Sequence, residues 1–542
     1  MHSAARITEL SNDDLARLSA RITALESDQR AREEQIQLLK EENAWLRARL
    51  WGRSSEKSVI EQISPDQWRL VFNEAEARAS EPAAIQPRTI EIAAHARKGQ
   101  GRRKLPAHLE RHPVIYDLPD SDKVCPHDGT TLTVMDRETS EHYHFERARA
   151  WITEEVRLKY SCPCCRQHVR LAPAPVKLLP KSIASPELLA HITTTKFVDA
   201  VPLNRQVKQL ARYDIPISVA TLSNWMLTIG GDRLVPLINL MTEQLLDAPV
   251  MHSDETTLQV LQSEKSPTSD HYMWVRLGVL PATEREAERR IVLFTYTPYR
   301  NTETLQRLFE GFSGKLVSDA LELYGTYADQ KSLIHGLCLA HARRGFEEAR
   351  KIAEGQTKAK QADAALPNSV ATRARVALDY FRDVYRIERE IADFSPADKL
   401  AVRKARSAPI MTAFKGWLDD LQPKVWPEGK LGKAINYCLN HWEKLCTFLH
   451  HGDVPVDNNP SERAIRPFVI GRNNWVLHKS QAGATASANL YSIVETCRTN
   501  GVEPYAYLCH LYTQLPNARS VEDFEALLPW NAKHARARAP PD

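Results

Sequence analysis

The 542-residue chain has no apolar run that approaches the roughly 18 residues of a membrane span, and Met1 to Leu10 has no signal-peptide core. These two absences lead us to expect a cytoplasmic protein with no membrane partner. The nine cysteines are an odd number, and four of them lie between positions 125 and 165, which favours a reducing compartment and a local metal site over a disulfide framework. The net charge of +4 is too small to indicate a partner, so each basic segment has to be judged separately.

A heptad pattern runs through the helix predicted for Ser11 to Trp51, and residues 11–57 are interpreted as a coiled-coil dimerisation helix. Eight of its eleven core positions are apolar. These positions are Leu15, Leu18, Ile22, Leu25, Gln29, Arg32, Ile36, Leu39, Asn43, Leu46 and Leu50. Leu at d with Ile at a favours a two-stranded coiled coil. Asn43 at an a position can pair with its own copy only in a parallel homodimer. A helix that folds back on its own chain is the alternative.

Residues 58–105 combine proline, glycine and basic side chains, which predicts a basic linker. Its last basic cluster is Arg102, Arg103 and Lys104. Such a run is either a solvated linker or a DNA-binding segment that follows phosphates and adds salt-dependent affinity.

Two cysteine-bearing turns predict a zinc-ribbon-like module at residues 106–180. Cys162 and Cys165 form a C-x-x-C pair, and the other turn offers Cys125 with His127 or Asp128. Zn²⁺ takes four ligands of these types in a tetrahedron. Because Asp128 stands where a second cysteine is expected, a metal-free turn is the alternative to a zinc site.

A pair of helices with a short turn is predicted at residues 186–230, and its spacing is that of a helix-turn-helix DNA-binding region. Leu203 to Arg212 is the first helix of the pair, and Ser218 caps the second. Thr221 and Asn224 are the candidate DNA contacts on the exposed face of the second helix. Helix pairs of this kind also occur in proteins that never contact DNA.

Residues 245–345 follow the order strand, strand, strand, helix, strand. The strands are predicted at Ala248 to Leu261, His271 to Leu280, Arg290 to Thr297 and Lys315 to Asp319, with a helix at Thr302 to Phe312. This is the order of a ribonuclease-H-like catalytic core, in which the first and fourth strands are neighbours. Asp254 and Asp319 are therefore expected to meet. Residues 346–452 are interpreted as a helical insertion, and residues 453–530 as the second part of the core.

A third carboxylate, Glu462, lies in the polar stretch Asp457 to Trp475. Pro460 in the first turn, with Asn459 as N-cap, predicts a helix that carries Glu462 at its third position. Glu462 is then either a capping-box residue that bonds only to the backbone of Asn459 or a ligand of a metal site shared with the other two acids.

Four short motifs surround these acids. They are Asp254-Glu255-Thr256, Asp319 with Tyr324 five positions on, Cys338-Leu-Ala-His341-Ala-Arg343-Arg344, and Asn458-Asn459-Pro-Ser-Glu462-Arg463-Ala-Ile-Arg466-Pro467. Together they resemble the transposases of the insertion-sequence-66 family, over nearly the whole chain. The resemblance implies a DDE-type transposase that acts on DNA, often with small companion proteins of the same element. Ala320 and Leu321 replace the usual Gly and Tyr, so Glu322 is the alternative second acid.

The carboxylates indicate the chemistry. The candidate catalytic residues and metal ligands are Asp254, Asp319 and Glu462. Hard oxygen ligands select Mg²⁺ or Mn²⁺, and a two-ion site can hydrolyse a phosphodiester and transfer the cut strand to a new one. Arg463, Arg466 and Arg472 are expected to hold DNA phosphates. The alternatives are a catalytically inactive DNA-binding regulator and a nuclease that cuts without joining.

Overall fold

The computed structural model describes residues 150–160, 170–284, 287–356 and 369–531, together with helical positions 17, 19–25, 27–29, 32, 35–36 and 39. Several predicted site residues therefore lie outside the described residues. They are Arg102, Arg103, Lys104, Cys125, His127, Asp128, Cys162 and Cys165. The chain divides into two compact units, Ile63–Val156 and the remainder. Residues 150–156 of the smaller unit are exposed and form no regular secondary structure.

A mixed five-stranded sheet forms the centre of the larger unit. Its members are β3 (Val250–Leu258), β5 (His271–Leu280), β6 (Arg289–Thr297), β7 (Lys315–Ser318) and β8 (His335–Leu337). The order across the sheet is β6-β5-β3-β7-β8, in which β3, β5 and β6 pair antiparallel and β3, β7 and β8 pair parallel. Eight of the ten residues of β5 are buried, as expected for a strand that is covered on both faces.

The first and fourth strands of the core, β3 and β7, are neighbours as their order in the chain predicts, and Val250–His252 pair with Lys315–Val317. The predicted strand boundaries need correction. Ala248 to Leu261 contains two strands, because the ladder is interrupted at Gln259 before β4 (Val260–Gln262). The fourth strand ends at Ser318, so Asp319 stands in the turn that follows it.

Two short strand pairs lie outside the central sheet. β1 (Lys159–Tyr160) pairs antiparallel with β2 (Arg170–Leu171), and β4 pairs parallel with β9 (His478–Ser480). The second pair connects the extension of β3 to the chain that follows the Glu462 helix.

Helices before the sheet pack into the same hydrophobic core as its strands. They are α1 (Pro186–Phe197), α2 (Leu203–Ala211), α3 (Val219–Thr228) and α4 (Val235–Leu246), with a π-helical turn at Ile229–Arg233. Helices α2 and α3 are the predicted helix pair, and the Ser218 hydroxyl accepts the Thr221 N–H at 3.1 Å as the predicted N-cap. Leu222 and Trp225 of α3 are buried in the core that includes the strands.

Helix α5 (Thr302–Leu308) precedes β7, and α6 (Glu322–Lys331) follows it. The predicted insertion then forms a second hydrophobic cluster, to which Phe346, Phe381 and Phe414 contribute. Its helices are α7 (Leu339–Gln356), α8 (Val370–Glu390), α9 (Pro396–Val402), α10 (Ala408–Leu421), α11 (Lys430–Asn440) and α12 (Trp442–Leu445). Strand β7 serves both cores, because Leu316 is buried in the first cluster and Val317 in the second.

The C-terminal part returns to the sheet. It contains α13 (Asn459–Trp475), α14 (Gln481–Thr499), α15 (Pro504–Gln514) and α16 (Val521–Ala526). A turn around Gly501 separates α14 from α15. Gly501 has a φ of +67°, which glycine adopts without strain, and Pro504 starts a new helix. Across the described ranges, no helix is both long and apolar enough to cross a membrane.

Candidate active site

At one end of the sheet, the charges of two carboxylates from other segments, Asp319 and Glu462, act on Asp254. Asp254 lies two residues beyond the last β3–β7 pair, and Asp319 follows the last residue of β7, so strand geometry brings the two acids level. Burial raises the pKa of Asp254 well above its usual range, and the charges of Glu255, Asp319 and Glu462 raise it further. The opposing contribution is a hydrogen bond from the Glu255 N–H to Asp254 Oδ1 at 2.9 Å. The acids thus share one electrostatic environment.

The turn that carries Asp319 does not need the flexible residue that the family usually has there. Leu321 N–H donates to Asp319 Oδ1 at 3.1 Å. As the N-cap of α6, Leu321 has an extended backbone conformation, with a φ of −61°. Neither Ala320 nor Leu321 has a positive φ, so a side chain is tolerated at both positions. Glu322, the alternative second acid, is exposed on the first turn of α6 and is absent from the charges that act on Asp254.

Glu462 is positioned differently from the prediction. Helix α13 begins at Asn459 with Asn458 as its N-cap, so Glu462 is the fourth helical residue. The predicted capping box does not form, because the Asn459 N–H donates to Asp457 Oδ1 at 3.1 Å and not to Glu462. The Glu462 carboxylate faces α7, where Oε2 lies 3.4 Å from Arg344 Nη2 and Oε1 lies 3.4 Å from His341 Nδ1.

The contact between Glu462 and His341 is not a hydrogen bond. Glu462 Oε1 and His341 Nδ1 are buried, yet neither has a hydrogen-bond partner within the described part of the chain. Cys338 Sγ lies near both atoms, and the three ligand atoms are within 4.8 Å of one another. Burial lowers the pKa of His341 and raises that of Cys338 to about 12, so a neutral imidazole and a thiol face the carboxylate.

A fourth carboxylate, Glu255, was not predicted as a site residue. Its side chain is buried, accepts the Tyr324 hydroxyl at 2.8 Å and lies 3.3 Å from Arg300. Burial and the nearby charge of Asp319 raise the pKa of Glu255 to about 7. The sequence signal for this contact was the tyrosine five positions after Asp319.

The predicted phosphate-binding arginines fall into two groups. Arg463 and Arg466 on α13 are exposed, and no ion pair to either is formed by the residues that the structure describes. Arg472 donates to Thr256 Oγ1 at 3.0 Å and to the Thr257 carbonyl, so it ties the last turn of α13 to β3. Its contact with DNA stays a prediction.

The two predicted contacts on α3 also differ. The Thr221 hydroxyl lies 2.9 Å from the Ser218 hydroxyl and belongs to the helix cap. Asn224 is exposed one turn further on. Both stay predicted DNA contacts, with Asn224 the more accessible of the two.

The fold and the site define a mixed α/β protein that collects carboxylates from β3, the β7 turn and α13. Comparison with known families gives the closer assignment: the chain belongs to the transposase IS66 family, whose model matches residues 181–486 and thus all three acids. The IS66 C-terminal element matches residues 492–530. A model described as "Transposase C of IS166 homeodomain" matches residues 38–114, and the zinc-finger binding domain of IS66 transposases matches residues 122–166.

Three relatives come from Sinorhizobium fredii (strain NBRC 101917 / NGR234), and each is named an uncharacterized protein. The protein y4jD is 29% identical, over 91% of this chain and 94% of its own length. The protein y4hP is 28% identical over 91% of this chain and 88% of its own length, and y4qI is 26% identical over 96% and 93%. The similarity therefore extends through nearly all of each chain.

Proposed function

We propose that this protein is a DDE-type transposase that hydrolyses the ends of an insertion sequence and transfers the cut strands to target DNA. The observation that carries the proposal is the shared site of Asp254, Asp319 and Glu462, which come from three distant segments. The sheet order, with the first and fourth core strands parallel and adjacent, supports a ribonuclease-H-like assignment. Family membership supports DNA as the substrate.

The donor set fits Mg²⁺ or Mn²⁺. Burial, and then the like charges of the neighbouring carboxylates, raise the pKa of Asp254, and a divalent cation between the carboxylates would remove that cost. Asp254 would be shared by two ions, and Asp319 and Glu462 would each complete one ligand set. When bound, two such ions activate a water or a 3′-hydroxyl and stabilise the leaving oxygen. The attacking group is supplied by the substrates, so no covalent intermediate with the protein forms.

Side chains around the acids would hold the DNA. Arg463 and Arg466 extend from the helix that carries Glu462, where their guanidinium groups can bind phosphates on either side of the scissile bond. His341 and Arg344 face the Glu462 carboxylate. A cavity of about 190 Å³ opens beside His341, and Lys430, Lys433 and Tyr437 of the insertion line its other side.

The remaining segments would bind the element ends. The α2–α3 pair contacts DNA through Asn224 and Thr221, and the basic linker follows phosphates. Zn²⁺ would be held by Cys162 and Cys165, together with Cys125 and His127 or Asp128, in the segment that matches the zinc-finger model.

The first test is cleavage of labelled DNA that carries the element's terminal repeats, in the presence of Mg²⁺. Asp254→Asn, Asp319→Asn and Glu462→Gln should each reduce cleavage and joining at least a thousandfold, while DNA affinity changes less than threefold. Each substitution removes the charged oxygen that would bind the metal but keeps the size and shape of the side chain. Glu322→Gln is the matched control and should keep full activity, since its side chain is exposed and outside the acid cluster.

The same assay separates the alternatives. DNA binding without cleavage by the unaltered protein would identify a regulator, and cleavage without joined product would identify a nuclease. Full activity of Glu462→Gln would overturn the assignment of this residue as a ligand.

A further inference from the structure

Asn458 joins three segments at the start of the helix that carries Glu462. It is only 1% exposed. Its Nδ2 donates to the Ser253 carbonyl on β3 at 2.8 Å, and its Oδ1 lies 2.9 Å from His252 Nδ1. Its backbone N–H donates to Cys338 Sγ at the start of α7. A single residue therefore connects β3, α7 and α13.

The direction of each hydrogen bond follows from the chemistry. The Ser253 carbonyl can only accept, so the amide nitrogen of Asn458 must face it and the amide oxygen must face His252. His252 therefore carries its proton on Nδ1 and donates it to Asn458.

The backbone of Asn458 extends this connection to Glu462. The Asn458 carbonyl accepts the N–H of Ser461 at 3.1 Å and the N–H of Glu462 at 3.2 Å. It also accepts the Ser461 hydroxyl at 3.0 Å. The amide of Asn458 thus holds the residue before Asp254, while its carbonyl holds Glu462 itself.

We propose that Asn458 is a positioning residue that sets the separation of Asp254 and Glu462, and that His252 orients its amide. This inference rests on the proposed function, since its consequence is the geometry of a metal site. The contacts that orient metal ligands typically change metal affinity or activity by about 10- to 100-fold when they are removed. Asn458 contacts neither DNA nor metal in this assignment and acts only through the two acids.

The test measures Mn²⁺ binding to the full-length protein by the electron paramagnetic resonance signal of free Mn²⁺, with thermal unfolding of the same samples. Asn458→Ala should weaken Mn²⁺ binding at least tenfold and lower kcat for cleavage, with KM for DNA within twofold. The matched control is Asn489→Ala. Asn489 is also buried and donates to a backbone carbonyl of a distant segment, that of Gly230, at 2.7 Å. This control should lower Tm but keep Mn²⁺ affinity.

A second pair of variants keeps the inference testable if Asn458→Ala does not fold. In His252→Asn the amide nitrogen is as many bonds from Cα as Nδ1 of histidine, so it can still donate to Asn458. His252→Leu cannot donate and leaves the Asn458 oxygen buried without a partner. We expect Mn²⁺ affinity within threefold of the unaltered protein for His252→Asn and at least tenfold weaker for His252→Leu.

Two outcomes overturn the inference. In the first, Asn458→Ala loses stability but keeps Mn²⁺ affinity, or Asn489→Ala weakens Mn²⁺ binding as much as Asn458→Ala does. Either result would make the role of Asn458 purely structural. In the second, the His252 variants bind Mn²⁺ equally. If Asp254→Asn binds Mn²⁺ as tightly as the unaltered protein does, the proposed function is overturned instead, and the inference with it.

Discussion

Three buried histidines, His252, His335 and His478, stay neutral in the folded protein for a common reason. Burial disfavours the imidazolium and lowers their pKa values to about 4, about 4 and about 3. An unfolded chain would titrate them near their ordinary value of 6.5. Each histidine therefore contributes stability that is complete above pH 6.5 and is lost as the pH falls towards the folded-state pKa. Glu255, whose pKa is raised to about 7, acts in the opposite direction and loses its contribution as the pH rises through that value.

The histidine effect can be isolated at His478, which packs against Phe468 with parallel rings and has no hydrogen-bond partner for Nε2 among the described residues. Each pH unit between the two pKa values is worth about 1.4 kcal/mol. The unaltered protein should thus lose about 2 kcal/mol relative to His478→Gln between pH 6.5 and 4.5. Urea unfolding of both proteins across this range measures the difference. Parallel pH profiles for the unaltered protein and His478→Gln would contradict the assignment.

At the scale of elements, α13 is fixed to β3 at both ends. Asn458 fixes its start, and Arg472 fixes its last turn through Thr256 and Thr257. The β4–β9 pair then continues the connection beyond the helix. Contacts at both ends therefore fix the position of the Glu462 helix along β3, the strand that carries Asp254. Such an arrangement would suit a site in which Glu462 and Asp254 act together.

This arrangement predicts different effects for two arginines of one helix. Arg472→Ala should lower the free energy of unfolding by about 2 kcal/mol, because it removes hydrogen bonds from a charged group. Arg466→Ala should leave stability unchanged, weaken DNA binding and reduce the slope of log affinity against log salt by about one phosphate contact. Chemical denaturation and a salt titration of DNA binding measure both. A weaker DNA affinity for Arg472→Ala at unchanged stability would support the DNA contact predicted for it from the sequence and contradict the structural role of this residue.

Local pattern predicted the order of the core strands, because alternation is written in contiguous residues, while the metal-binding role of Asp254 and Asp319 stays a prediction. It placed the N-cap of α13 one residue too late, since Asn459 satisfies the same preference as Asn458 and only the tertiary contacts distinguish them. Asn458 meets His252 and Cys338 across 206 and 120 positions of the chain, and periodicity carries no information about such distances. Glu255 was missed as a site residue for the same reason, because its partner Tyr324 lies 69 positions away.

At the scale of the whole molecule, the described positions of the N-terminal helix include exposed apolar side chains. Ile22, Leu25, Ile36 and Leu39 occupy predicted core positions of the heptad and are 49% to 62% exposed in the single chain. Arg32, the charged residue among the core positions, pairs with Asp28 at 2.7 Å along the helix. In the predicted dimer, this pair would reduce the repulsion between Asp28 and Glu33 of a second copy. A second copy of the same helix would bury the exposed apolar side chains, and a transposase that must hold two ends of one element has a use for two copies.

The last prediction is that residues 1–57 form a parallel dimer. Leu at d and Ile at a favour two strands, and Asn43 at an a position is satisfied only by the Asn43 of an in-register partner. Sedimentation of a peptide covering Met1 to Lys57 at tens of micromolar should therefore give the mass of two chains. Asn43→Ile should raise thermal stability and shift the peptide to higher oligomers, because it removes the polar pair that limits the assembly to a dimer. A monomeric peptide, or an Asn43→Ile variant that stays an unaltered dimer, would contradict the register on which the prediction depends.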